Sequence, residues 1–322
     1  MTGDPILKLR ELRKHFTVAG RSLKAVNGVS LDVERGETFG LVGESGCGKS
    51  TLGRLIKQIY TPTSGTIHFD GVNSTDIKGK ARRIFTRKMQ MIFQDPYSSL
   101  NPRMTVGEII GEGLAIHNMG SRRERVEKVR AMMERIGLNP EYENRFPHKF
   151  SGGQRQRIAI GRALVVEPDM VVCDEPISAL DVSIQGQIVN LLKSLQRSRG
   201  LTYLFVAHDL SMVKYISDRV GVMYLGRLVE VAPKAQLFEA PRHPYTQALL
   251  SSIPIPDPSE ERRRVENPPK GELPSPFADL KGCPFQTRCP HVTAACKRMT
   301  AELTEVGPCH SVNCVLHGTP TA

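Results

Sequence analysis

Residues 43–51 read GESGCGKST, and this segment is the strongest indication of fold class in the chain. It fits the phosphate-loop pattern G-x-x-x-x-G-K-[ST]. A short apolar run at 37–42 (ETFGLV) precedes the loop and predicts a buried strand, and the following TLGRLIKQI predicts a helix. A glycine loop between a strand and a helix predicts a site for nucleotide phosphates in an α/β domain.

The loop residues suit the binding of ATP and Mg²⁺. Backbone N–H groups of the glycine-rich segment would point at the β-phosphate, and the start of the helix adds its positive dipole end. Lys49 would reach the β- and γ-phosphate oxygens, and the Ser50 hydroxyl suits Mg²⁺. The predicted nucleotide-binding residues of the loop are Gly43, Glu44, Ser45, Gly46, Cys47, Gly48, Lys49, Ser50 and Thr51.

Two further apolar runs end in residues that suit hydrolysis. MVVC at 170–173 precedes Asp174 and Glu175, and LTYLFVA at 201–207 precedes His208. In open α/β sheets ligands bind at the carboxyl ends of the strands, so we expect these side chains to face the loop. Asp174 would hold the magnesium ion, Glu175 would orient or deprotonate the attacking water, and His208 would contact the γ-phosphate.

Gln94 follows an apolar triplet in MIFQDP, and its amide oxygen would join the metal shell. Between Gln94 and Phe150 helical patterns are frequent and strand patterns sparse, which predicts a helical insertion. One helix begins at the capping box of Ser121 and Glu124 and stops at Gly137. Its predicted apolar face is Val126, Val129, Met133 and Ile136. Another helix is predicted from Asp181 to Gly200, with an apolar face of Ile184, Ile188, Leu191, Leu192 and Leu195.

Length and charge set broad limits. The 322 residues suffice for one large domain or two modest ones, and no run of about 18 apolar residues occurs that would span a membrane. The N-terminus lacks a secretory signal, so we expect a cytoplasmic protein. The net charge of +11 suits nucleic acid, anionic lipid or nucleotide phosphates. No base-reading motif is visible, so nucleic acid is not expected.

Composition changes after Ile253. Seven prolines predict an extended linker over 254–282, and five of the seven cysteines follow in a Cys-rich extension over 283–322. The other two, Cys47 and Cys173, are interpreted as small residues in tight places.

A second glycine segment, FSGGQRQR at 150–157, adds the last motif. The motifs of the chain occur in the order and spacing of ABC-transporter ATPases. They are the phosphate loop, Gln94, SGGQ, Asp174-Glu175, SALD at 178–181 and His208. The chain resembles that family over about residues 5–255. The resemblance implies an α/β P-loop NTPase fold, with a RecA-like core and a helical ABC subdomain at about 95–165. We place this ATPase domain at 1–253.

The resemblance also assigns roles that the residues alone do not show. It implies that Ser151, Gly152, Gly153 and Gln154 cap the γ-phosphate held by a second ATPase subunit. One phosphate loop per chain then implies a dimer with two shared ATP sites. Asp181 belongs to the same implied nucleotide-binding set.

Phe16 lies where the family places an aromatic ring on adenine. The alternative for Phe16 is simple core packing.

Longer segments, among them QMIFQDPYSSLNPRMTVGEII and HPYTQALLSSIPIPDP, resemble the oligopeptide/dipeptide importers of bacteria, and most of all their F-type subunit. The resemblance implies pairing with a D-type ATPase subunit beneath two permeases, on the cytoplasmic side of the inner membrane. An external peptide-binding protein would supply the cargo, and residues 97–123 would face the permeases. One alternative is a soluble ABC ATPase that acts on nucleic acid or in cluster assembly. Another is nickel or a different small solute as cargo.

The tail cysteines suit a metal centre. Four thiolates fit an iron–sulfur cluster. The tail resembles that of the importer family, and the resemblance implies a [4Fe–4S] cluster there. The expected ligands are Cys283, Cys289, Cys296 and Cys309, with Cys314 as a possible substitute for Cys309. Their wide spacing is a poor match for zinc. Zinc and unoccupied thiols stay open as alternatives.

Overall fold

Twelve strands and ten α-helices form among the described residues of the computed structural model, which are 4–253, 274–275, 277–278, 280–300 and 302–318. The strands are β1 (Leu7–Val18), β2 (Arg21–Val33), β3 (Thr38–Val42), β4 (Ser64–Phe69), β5 (Val72–Asn73), β6 (Met89–Ile92), β7 (Met170–Asp174), β8 (Thr202–Val206), β9 (Arg219–Tyr224), β10 (Arg227–Pro233), β11 (Thr304–Gly307) and β12 (His310–Val312). The helices are α1 (Lys49–Ile56), α2 (Gly79–Lys88), α3 (Pro96–Ser99), α4 (Val106–Ile116), α5 (Arg122–Arg135), α6 (Gly152–Leu164), α7 (Val182–Arg199), α8 (Leu210–Ile216), α9 (Lys234–Glu239) and α10 (Pro244–Ser251).

The main sheet has eight strands in the order β11-β12-β10-β9-β3-β8-β7-β6. Strands β9, β3, β8, β7 and β6 are parallel. The three apolar runs of the sequence form β3, β7 and β8, and every residue of these strands is buried. This confirms the predicted α/β core, because strands covered on both faces are read as continuous apolar runs.

A second sheet, in the order β2-β1-β4-β5, is antiparallel. Helix α1 lies between the two sheets, and its Leu52, Leu55 and Ile56 belong to one buried cluster with residues of β1, β3 and β7. The phosphate loop therefore leads into a helix that is held on both sides by apolar packing.

The segment from Gln94 to Phe150 is helical, as predicted, and holds α3, α4 and α5 with two 3₁₀ turns. Ser121 and Glu124 form both hydrogen bonds of the predicted capping box. The predicted apolar face is wrong at Val126, which is 41% exposed, while Met132 is buried. Val126 lies in the first turn of α5, and burial begins at Val129, where the helix packs against Gly111 of α4.

Helix α7 occupies the predicted range and ends at Gly200, whose φ of 63° is the left-handed conformation of a helix stop. Ile188, Leu192 and Leu195 are buried, and Leu191 is half-buried. None of the helices in the described part of the chain is both long and apolar enough to cross a membrane.

The C-terminal residues join the main sheet. Strand β12 pairs antiparallel with β10, and β11 extends the sheet by one more strand. Phe285, Cys283, Cys296 and Met299 belong to the same buried cluster as residues of α4 and α6. Residues 254–273 of the predicted linker lie outside the described residues, and the proposed boundaries at 253 and 282 stay predictions.

A buried contact between a histidine and a carboxylate fixes this junction. His310 Nε2 lies 2.7 Å from Glu230 Oε1, and the side chains are 5% and 0% exposed. The Glu230 carboxylate also accepts the backbone N–H groups of Arg242 and His243.

We predict that His310→Ala destabilises the fold by about 1–3 kcal/mol, because a buried carboxylate loses its side-chain partner. Urea unfolding measures this change. His291→Ala, an exposed histidine of the same extension, is the control. Equal unfolding midpoints for the two variants would show that the Glu230–His310 pair does not hold the junction.

Candidate nucleotide-binding site

Three of the predicted catalytic or sensing residues meet at the carboxyl edge of the main sheet. Gln94 Nε2 donates to Glu175 Oε2 at 2.9 Å, and His208 Nδ1 lies 3.3 Å from the same oxygen. These residues follow β6, β7 and β8, which are neighbours in the sheet. One carboxylate oxygen is thus fixed by two side chains, and the second is left to face a ligand.

The backbone at Glu175 is strained. Its φ is 47°, in the left-handed region that residues other than glycine seldom occupy. A hydrogen bond from Glu175 N to Val206 O at 3.0 Å holds the turn in place. Such strain, about 1–3 kcal/mol, is concentrated at functional sites, where it points a side chain that a relaxed strand would direct elsewhere.

The phosphate loop folds around its own lysine. Lys49 Nζ donates to Gly43 O at 2.7 Å and to Glu44 O at 3.0 Å, and Lys49 is buried. Gly48 has a φ of 107°, and a Cβ there would lie 2.1 Å from Ala25 O. Only glycine fits at that position.

Ser50 and Asp174 suit a magnesium ion. Ser50 Oγ donates to Asp174 Oδ1 at 2.6 Å, and Arg54 Nε lies 4.0 Å from Asp174 Oδ2. That second oxygen is buried and has no hydrogen-bond partner among the described residues. Burial raises the pKa of Asp174, and the hydrogen bond from Ser50 and the charge of Arg54 oppose the shift. A hydroxyl beside an unpartnered carboxylate oxygen fits a hard divalent cation, which takes oxygen ligands.

These residues open into a cavity of about 560 Å³, which lies within the usual size range of ligand pockets. Most of the predicted residues line it: Phe16, Ser45, Gly46, Cys47, Gly48, Lys49, Ser50, Thr51, Gln94, Glu175 and His208. Gly43, Glu44 and Asp174 do not line the cavity. Phe16 is half-buried, with its ring edge-on to Tyr60 at 5.4 Å.

Sequence reasoning missed several walls of the cavity. They are Leu23, Lys24, Ala25 and Asn27 of β2, the turn Leu225, Gly226 and Arg227, and the C-terminal residues Ser275, Ala278, Leu280 and Pro284. Gly226 N donates to Cys47 O at 2.8 Å, so the turn before β10 supports the phosphate loop. These residues carry no motif, and only the tertiary fold brings them together.

The SGGQ segment lies elsewhere. Ser151 is the N-cap of α6 and is exposed. Its hydroxyl accepts from Gln154 N at 3.3 Å, and Gln154 Oε1 accepts from Ser151 N at 3.0 Å. Residues 151–154 do not line the cavity, and neither does Asp181, the exposed N-cap of α7. The structure therefore separates this predicted set from the chain's own phosphate loop.

The tail cysteines group differently from the prediction. Cys314, Cys296 and Cys289 lie close enough to Cys283 for their charges to interact with it. Burial raises the pKa of Cys283 to about 12, and these neighbouring thiols act in the same direction. Cys309, the expected fourth ligand, is exposed on the turn between β11 and β12. The fourth cysteine of the group is Cys314, the possible substitute for Cys309, which is buried and follows β12 by two residues.

The predicted iron–sulfur cluster is not supported. In the described residues no group of three or more His, Cys, Asp or Glu side chains is placed to hold a metal ion. Burial also raises the pKa values of Cys289 and Cys314, and a metal would need these thiols deprotonated. Cys47 and Cys173 are buried, in agreement with their interpretation as packing residues.

A phosphate loop facing an aspartate, a glutamate and a histidine at one sheet edge defines a phosphate-loop ATPase. Two family models match the chain: ABC transporter over residues 26–178, and oligopeptide/dipeptide transporter, C-terminal region, over residues 229–296. The oligopeptide transport ATP-binding protein OppF of Bacillus subtilis is 59% identical over 81% of this chain and 87% of its own length. The oligopeptide transport ATP-binding protein AppF of the same organism is 49% identical over 98% of both chains.

Solved structures agree on the fold. The dimeric ATP-binding cassette MJ0796 bound to ADP and phosphate aligns with a TM-score of 0.65 at 28% identity, over 71% of this chain and 98% of that one. CbiO1 of Clostridium perfringens, part of an ABC transporter complex, aligns with a TM-score of 0.65 at 30% identity, over 74% of this chain and 92% of that one.

The chain belongs to the ABC-transporter ATP-binding proteins of the oligopeptide/dipeptide family and is an ATPase. The alternative of an ABC ATPase acting on nucleic acid or in cluster assembly is not favoured, since AppF matches almost the whole chain.

Proposed function

We propose that this chain hydrolyses ATP to power the import of peptides through a membrane transporter. The observation that carries the proposal is Glu175, fixed by Gln94 and His208 at the rim of the phosphate-loop cavity. The relatives named for oligopeptide transport give the cargo class. Nickel or another small solute is not favoured as cargo, because these relatives are named for oligopeptide transport.

Each residue has a task in the proposed reaction. The adenine ring stacks on Phe16, and the phosphates lie on the loop N–H groups. Lys49 exchanges its hydrogen bonds to Gly43 O and Glu44 O for the β- and γ-phosphates. Bound Mg²⁺ would neutralise developing charge on the phosphate oxygens.

The hydrolytic step falls to two of these side chains. Glu175 orients the attacking water or accepts its proton, and His208 contacts the γ-phosphate. Gln94, between the metal shell and Glu175, links the helical insertion to this step.

A second ATPase subunit completes the proposed site. Ser151 is exposed and lies outside its own cavity, which supports a role of the SGGQ segment on the nucleotide of a neighbour. The related cassette MJ0796 was solved as a dimer. We propose that the partner is a D-type subunit.

Membrane permeases are the partners that the family implies. We propose that two of them bind at residues 97–123, on the cytoplasmic side of the membrane, and that an external peptide-binding protein delivers the cargo. Two apolar side chains support this surface: Tyr97 is 64% exposed and Ile116 is 62% exposed.

We predict that Glu175→Gln lowers the ATP hydrolysis rate by about 10²–10⁴-fold, the usual contribution of a general base, while MgATP binding persists. Peptide uptake by cells that depend on this subunit falls in parallel. Glu134→Gln, an exposed glutamate on α5, is the matched control. A normal rate of ATP hydrolysis in Glu175→Gln would show that Glu175 does not act on the attacking water. Normal peptide uptake in cells whose variant no longer hydrolyses ATP would show that this ATPase does not power import.

We also propose a metal centre with a changed ligand set: Cys283, Cys289, Cys296 and Cys314. Their closeness to one another supports this set, and three of them are buried while Cys289 is half-buried. The described positions form no ready-made metal site, so a [4Fe–4S] cluster would have to draw the sulfurs together.

We predict that Cys314→Ser removes iron and sulfide from the anaerobically purified protein, and that Cys309→Ser leaves them unchanged. Iron and sulfide analysis with absorption spectroscopy measures both. Loss of iron in Cys309→Ser would show that Cys309 is a ligand, as the sequence analysis expected. Absence of iron and sulfide from the unmodified protein and from both variants would contradict the proposed metal centre.

A further inference from the structure

The C-terminal extension reaches the nucleotide cavity. Ser275, Ala278, Leu280 and Pro284 line it together with the phosphate loop. A turn shapes the first part of this wall, since Ala278 N donates to Ser275 O at 2.8 Å. The cavity is therefore closed on one side by residues that lie more than sixty positions beyond His208, the last of the ATPase motifs.

The extension also contacts the β1–β2 hairpin, which carries Phe16. The guanidinium of Arg21 lies over the ring of Phe277, 4.8 Å from its centre. Arg21 begins β2, and the β1–β2 pairing sets Phe16 opposite Leu23, both of which line the cavity. The extension is thus attached to the hairpin that carries the predicted adenine contact.

A second contact reaches the phosphate loop itself. Arg288 Nη1 lies 3.0 and 3.1 Å from the two carboxylate oxygens of Glu44, and the Arg288 side chain is only 8% exposed. The same nitrogen lies 3.5 Å from the Tyr224 hydroxyl. Glu44 directly precedes the loop residues that line the cavity, so Arg288 holds the start of that lining.

An aromatic cluster also supports Glu44. Phe285 contacts Tyr224 and Tyr245 with ring centres 5.4 Å apart in each pair, and all three side chains are fully buried. The Tyr245 hydroxyl accepts from Glu44 N at 2.9 Å. The carboxylate of Glu44 therefore contacts Arg288 of the extension directly. Its backbone N–H binds Tyr245, against which Phe285 of the extension packs.

We propose that the C-terminal extension is part of the ATP-binding site, with Ser275, Ala278, Leu280 and Pro284 as a wall beside the base and ribose and with Arg288 as a positioning residue of the phosphate loop. This inference rests on the proposed ATPase function. Arg288 acts through Glu44: it fixes the loop and neutralises a carboxylate that would otherwise repel the triphosphate.

The first experiment separates positioning from simple structural support. We expect Arg288→Gln to weaken MgATP binding by about tenfold, measured with a fluorescent ATP analogue, because Glu44 is left charged and unpaired. The double variant Glu44→Gln/Arg288→Gln should return to within about threefold of the unmodified chain. Arg298→Gln, an exposed arginine of the same extension, is the control and should bind normally.

The second experiment tests the wall without touching the ion pair. Ala278→Trp places a large ring in the cavity and should weaken the same binding by about tenfold or more. Ala294→Trp, at an exposed position outside the cavity lining, should not. Unfolding midpoints of all variants identify any that lose affinity through unfolding.

The outcomes distinguish this inference from the proposed function. An unmodified chain that does not bind MgATP would overturn both. An unmodified chain that binds, together with Ala278→Trp and Arg288→Gln variants that bind equally well, would overturn the role of the extension alone. Loss of affinity in Arg288→Gln without recovery in the double variant would overturn the positioning role.

Discussion

A hydrogen bond from the Ser50 hydroxyl to Asp174 joins the loop after β3 to the end of β7, across β8, which lies between them in the sheet. The bond links residues that are 124 positions apart. It turns one Asp174 oxygen to the phosphate loop, and the other is buried with no hydrogen-bond partner in the described part of the chain. Because Glu175 is the next residue, the same contact sets the distance between the phosphate loop and the hydrolytic carboxylate.

Much of this arrangement was predictable because three of the five parallel strands, β3, β7 and β8, are short, mostly apolar and buried at every residue. Such strands are visible as runs in the sequence, and the residue after each run must lie at one edge of the sheet. Asp174, His208 and Gln94 were placed in this way, and the structure brings them to the same edge. Local rules were enough to place these three residues, because the end of a strand fixes where the next side chain lies.

Prediction failed where position depends on tertiary contacts. Cys309 and Cys314 are five residues apart and both suit a thiolate ligand, but the β11–β12 turn exposes Cys309. Pairing of β12 with β10 then returns Cys314 to the buried side. Nothing in the sequence gives that pairing, since β12 has only three residues. For the same reason the walls of the cavity from β2, the turn before β10 and the extension were missed.

The start of α6 carries the proposal that a second subunit completes the nucleotide site. The capping box satisfies the N–H groups of Ser151 and Gln154, but the first turn of any helix has other amide donors without an intrahelical acceptor. This end rests on the start of α7, where a Cβ on Gly153 would lie 2.6 Å from Ile184. Ser151 and Asp181, the two N-caps, are therefore on adjacent helix ends, and both are exposed. Helix N-termini attract anions, and the chain's own cavity does not include these two, which is why we propose that they bind a phosphate presented by another subunit.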